Sequence, residues 1–180
     1  MNRIRTLLAT ATVLAFVPFA AFAETDTATS APTVTMTSVH TVTAGTFTAL
    51  GDVAAFSAAT DFGTVALTYS TNSVASGETS TITAAAGAWT LPAGATSAMP
   101  VLKATASAPV GTGAGTAAAQ VTLISGANVP AATAQTLVTG ITNGDGHTST
   151  VTFAVDASDA TIADGAYSTT VTFTLTASAL

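Results

Sequence analysis

Cysteine is absent from the chain, which excludes disulfides, thiolate metal sites and thiol nucleophiles in one step. Charge is scarce: Asp, Glu, Lys and Arg make up 7% of the 180 residues, against about 25% in ordinary globular proteins. Basic residues are scarcer still, being Arg3, Arg5 and Lys103 alone. A chain with so little positive charge has nothing to offer phosphates, so nucleic acid and anionic membrane surfaces are excluded as partners. One Trp and two Tyr leave few aromatic platforms for a sugar cleft, and no pair of acids flanks them in sequence as glycosidase chemistry would need. Fixed repeats of 20 to 50 residues, the mark of a solenoid, are missing as well.

What the chain has in place of charge is Thr, Ser, Ala, Gly and Val. Its first 23 residues follow a different rule: a basic start at Asn2-Arg3-Ile4-Arg5, an apolar run from Thr6 to Ala20, and Ala21-Phe22-Ala23 with small residues where a signal peptidase cuts. This is the pattern of a cleavable secretory signal, 1–23. The apolar run is too short for a membrane anchor, which needs about 20 residues, and Pro18 interrupts it. Cleavage leaves 157 residues, enough for one core without disulfides, and a net charge of 1 − 9 = −8 because Lys103 then stands against nine acids. No membrane insertion is expected after cleavage.

Residues 24–32 carry no apolar period and read as a flexible leader. From Thr33 to Leu180 the chain reads as a single all-β domain, an antiparallel two-sheet sandwich. The clearest segment is the last: Val171, Phe173 and Leu175 alternate with Thr170, Thr172, Thr174 and Thr176, a period of two that places one face on a core and the other in water. The same alternation starts at Thr33-Val34-Thr35-Met36-Thr37 and runs to Gly45. It returns at Gly63–Tyr69, Thr79–Ala85, Met99–Ala108, Thr116–Ile124 and Thr148–Val155, while Gly45–Thr60 suits loops and short strands. Trp89 is expected as a core plug near one edge. Asn143-Gly144-Asp145-Gly146 is the strongest turn signal and implies a hairpin, and Gly111-Thr112-Gly113-Ala114-Gly115 is expected to form a flexible hairpin loop. It lacks the Lys-Ser/Thr ending of a phosphate-binding loop.

Candidate chemistry is thin. The two histidines, His40 and His147, sit on separate segments without a nucleophile elbow and read as surface residues; no catalytic residue is assigned. Asp156, Asp159 and Asp164 crowd one loop and offer hard oxygen ligands, but their spacing is not that of an EF-hand, so calcium stays an open alternative. The Thr rows suit an ice surface, O-linked glycan or the plain solvent face of a sheet, and strand propensity favours the third. No cofactor and no metal are expected.

The closing run Asp164-Gly165-Ala166-Tyr167-Ser168-Thr169-Thr170-Val171-Thr172-Phe173-Thr174-Leu175-Thr176 resembles the last strand of secreted bacterial β-sandwich surface proteins. Among these are the spore coat protein U-like pilins of chaperone-usher pathways and the WxL-type surface proteins; Trp89-Thr90-Leu91 has the WxL spacing once. The resemblance implies an immunoglobulin-like subunit that assembles by lending a strand to its neighbour. Thr33, Val34, Thr35, Met36 and Thr37 are the candidate donor segment, since an alternating strand after a flexible leader fits an open sheet edge. The expectation is therefore a secreted, non-enzymatic structural or adhesive subunit of the periplasm, cell surface or extracellular space, pilus-like or matrix-forming, associating with itself or related subunits. The alternative is a glycan- or calcium-binding surface module.

Overall fold

The structure is a computed structural model and describes residues 39–72, 74, 77–95 and 98–177. The expected signal at 1–23, the expected leader at 24–32 and the candidate donor Thr33–Thr37 lie outside the described residues.

All regular structure among the described residues is strand: β1 His40–Ala44, β2 Thr48–Ala49, β3 Thr60–Thr71, β4 Ser80–Ala86, β5 Val101–Ala106, β6 Thr116–Ala117, β7 Val121–Ile124, β8 Gln135–Ile141, β9 Gly144–Asp156 and β10 Val171–Ala177. They form two antiparallel sheets. One runs β1-β3-β9-β5-β7 with β2 beside β1 on the same edge of β3, and the other runs β10-β4-β8-β6. Alternation drives the pairing of the sheets: Val65, Leu67 and Tyr69 of β3, Val151, Phe153 and Val155 of β9, and Leu102, Ala104 and Ala106 of β5 are buried, as are Ile82 and Ala84 of β4 and Leu137, Val138 and Ile141 of β8. Small Ala residues on β4 and β5 leave room for the larger side chains opposite, which lets the two layers interdigitate.

From β3 onward each successive strand belongs to the opposite sheet, so the connections are arches across the core. Neither turn signal joins a hairpin. Asn143–Gly146 spans the passage from β8 into β9, whose first residues are Gly144, Asp145 and Gly146, and Gly111–Gly115 lies between β5 and β6; each links strands that sit in different sheets. The physical reason is that Gly and Asn supply a positive φ to any sharp reversal, whichever strand follows. The expected strand Thr116–Ile124 is likewise two short strands, β6 in one sheet and β7 in the other. Strand β8 buries Leu137 and Val138 in succession, and β7 buries Leu123 and Ile124. Two neighbours face inward where the register slips, at Ser80/Ile82 and Ile82/Thr83 opposite β8 and at Leu102/Lys103 opposite β7, as β-bulges require.

Candidate functional site

The open side of the sandwich lies between two sheet edges. Strand β10 pairs with β4 in unbroken register, from Val171↔Ala86 to Ala177↔Ser80, and among the described residues pairs with no strand on its other side. Facing it across the core is the edge formed by β1 and β2, which Gly45–Phe47 interrupts. The Gly45 N–H still reaches the Ala66 carbonyl at 2.8 Å, but the chain between the two strands bends away and leaves a cleft of about 520 Å³. Phe47, Phe62 and Phe153 form one wall, with ring centroids 5.7 to 6.4 Å apart. Val171 and Phe173 of β10 form the other and are therefore only half buried. The chain before β10 is anchored by Thr90 and Gly87: the Thr90 N–H donates to Ser168 O at 2.7 Å and the Gly87 N–H to Thr170 O at 3.0 Å.

His40 joins these two edges at the start of β1. Its Nε2 lies 3.1 Å from the Leu175 carbonyl and its Nδ1 3.0 Å from the Thr71 hydroxyl. A carbonyl only accepts, so Nε2 carries the hydrogen and Nδ1 accepts from Thr71 in the neutral ring. One imidazole thus ties the edge of one sheet to the edge of the other, which corrects the expectation of a surface histidine.

A second cleft of about 330 Å³ continues from the first and shares Phe62, Trp89 and Tyr167 with it. Trp89 is buried as expected, and it stands edge-on to Tyr167 with centroids 6.1 Å apart. The indole N–H donates to the Pro100 carbonyl at 2.8 Å, and the Tyr167 hydroxyl to Ala163 O at 2.8 Å. Two loops bring Asp52 and Asp164 to this cleft. Beside it the segment between β1 and β3 exposes Phe47, Leu50 and Phe56.

His147 is not at the surface. It is 2% exposed, stacks obliquely on Tyr69 at 5.5 Å, and neither ring nitrogen has a hydrogen-bond partner. The glycines around it explain the burial, since a β-carbon at Gly111 or Gly144 would overlap the imidazole. The glycine tract thus packs against β9, and its Ala114 carbonyl accepts from the buried Tyr69 hydroxyl at 2.7 Å. Burial raises the Tyr69 pKa. The sequence showed glycine and histidine but not that one makes room for the other.

Two carboxylates of the acidic loop are engaged by their own chain. Asp156 accepts from the hydroxyl and N–H of Ser158 and lies 3.6 Å from Lys103 Nζ, which holds its pKa below the usual carboxylate range, the Ser158 hydroxyl contributing most. Asp159 is held low by the N–H and hydroxyl of Thr161. Among the described residues no three His, Asp or Glu side chains converge as metal ligands, and no helix is long and apolar enough to cross a membrane. No protein-family model, curated protein or solved structure matches the chain.

Proposed function

We propose that the chain is a secreted, non-enzymatic structural or adhesive subunit with an immunoglobulin-like sandwich, which joins copies of itself or related surface subunits by strand addition into a pilus-like or matrix polymer. The observation that carries this reading is the outer edge of β10. Soluble proteins protect edge strands with charge, proline, bulges or short length. Strand β10 has none of these: it is seven residues long, in continuous register, and reads Val-Thr-Phe-Thr-Leu-Thr-Ala. Among the described residues no strand pairs with its outer side, which runs beside the apolar cleft and meets His40 at the Leu175 carbonyl, so an incoming strand gains main-chain hydrogen bonds from the rest of the edge and burial for its alternate side chains. Thr33–Thr37 has the matching pattern, with Val34 and Met36 on one face and three Thr on the other. The signal at 1–23 supports export.

Electron microscopy of material secreted by the wild-type chain and by a deletion of Glu24–Thr37 tests the reading. Filaments or meshes in the wild type that vanish on deletion support strand donation. Unchanged assemblies overturn it.

A further inference from the structure

We propose that the cleft walled by Phe62, Trp89 and Tyr167 and rimmed by Asp52 and Asp164 binds an organic ammonium ion, a positively charged nitrogen on a small apolar body. This goes beyond the assembly reading and does not depend on it.

The donor and acceptor inventory of the cleft selects the ligand. Trp89 and Tyr167 are the side chains lining it that carry donor hydrogens, and both hydrogens are committed, to the Pro100 and Ala163 carbonyls. What faces a ligand from the side chains is therefore aromatic ring and aliphatic carbon, together with two carboxylates. Asp145, Asp156 and Asp159 accept hydrogen bonds from Ser70, Ser158 and Thr161, whereas Asp52 and Asp164 accept none from the described residues. The one lysine lies with Asp156 and not here. A site with negative rim, π-rich walls and no side-chain donor repels anions and gives a neutral sugar nothing to accept from those side chains. It attracts a cation, which aromatic faces bind within about 6 Å.

The two acidic loops are held in place. A β-carbon at Gly165, which has φ of 137°, would overlap Pro92, so the Asp164 loop packs directly on the segment after Trp89. The Ala157 N–H donates to Ser57 O at 3.0 Å and ties the loop that follows Asp52 to the end of β9. The volume, about 330 Å³, stands at the small end of the roughly 300–1,000 Å³ of ligand pockets, which matches a small cation.

Trp89 is the chain's one tryptophan, so its fluorescence reports on this cleft and on the larger one that shares the ring, while Asp52 and Asp164 line this cleft and not the larger one. Full-length protein is titrated at constant ionic strength with choline and, separately, with 3,3-dimethylbutan-1-ol, which has the same shape without the charge. A saturable change with choline, weaker by about tenfold with the neutral alcohol, is expected. The double variant Asp52→Asn/Asp164→Asn is expected to lose about tenfold in choline affinity with its melting temperature unchanged, since both acids are exposed. Equal binding of the two compounds, no saturable signal with choline, or full affinity in the double variant overturns the proposal.

Discussion

The ring of Phe47 occupies the space in which a β-carbon on Gly63 would stand. Gly63 lies in β3 opposite Ala49 and Phe153, where the ring covers the bare backbone and joins the Phe62–Phe153 pair, the aromatic cover that offsets a glycine in a strand. Gly63→Ala in the wild type is expected to expel the ring and destabilise. Phe47→Ala alone costs about 2 kcal/mol, less than a fully buried phenylalanine, because Phe47 is 45% exposed. In the Phe47→Ala background the sign of Gly63→Ala reverses, to a gain of about 0.5 kcal/mol, since alanine suits a strand better than glycine. Urea midpoints of the four proteins check this; additive effects would show that the ring and the glycine are not coupled.

His147 carries two buried nitrogens without partners, and an unsatisfied buried polar group costs about 1–3 kcal/mol. Leucine at 147 keeps the apolar contact with Tyr69 and removes both polar atoms. His147→Leu is expected to gain on the order of 1 kcal/mol, while Gly144→Ala, which needs the space of the ring, loses stability. Thermal melts of the two variants decide it, and a destabilised His147→Leu would mean that the imidazole is held by an interaction beyond packing.

Tyr69 gives the fold an alkaline limit. Its pKa is raised by burial, so the unfolded chain loses the phenol proton at about pH 10 while the folded one keeps it. The stabilisation is complete below that pH and is lost as pH rises towards the folded value. Tyr69→Phe removes this dependence and leaves the Ala114 carbonyl without its donor, at a cost of about 1 kcal/mol near neutrality. Urea midpoints of wild type and variant are expected to converge between pH 8 and 11. Parallel curves would sink the argument.

The period of two was enough to find the faces of β3, β5, β9 and β10, because burial follows alternation residue by residue: Val65, Leu67 and Tyr69 go in, and so do Leu102, Ala104 and Ala106. Which sheet a strand joins was not legible. Asn143–Gly146 encodes a reversal and says nothing of whether the strand after it lies beside the strand before it or across the core from it. The clefts were hidden for a related reason. They arise where Gly45–Phe47 breaks an edge opposite β10 and where the Asp52 and Asp164 loops meet, and residues more than a hundred positions apart leave no local pattern. His147 was misplaced because a polar residue after a turn is ordinarily exposed; the two glycines that make its berth are 36 and 3 positions away.

The last expectation concerns His40, which links the two edges through Thr71 and the Leu175 carbonyl. Because β10 pairs with one strand only among the described residues, this imidazole is a tie between the end of the strand and the opposite sheet. His40→Ala leaves the Leu175 carbonyl without its donor, at a cost of about 1 kcal/mol. Its effect is expected to be local: amide exchange in Val171–Ala177 accelerates, while the β3 and β9 amides at the centre of the other sheet keep their protection. His40→Gln, which retains a side-chain N–H, restores part of it. If strand addition at β10 is how copies join, the looser edge of His40→Ala also changes the rate of assembly; exchange that rises equally in every strand would instead place His40 among the residues that hold the whole core.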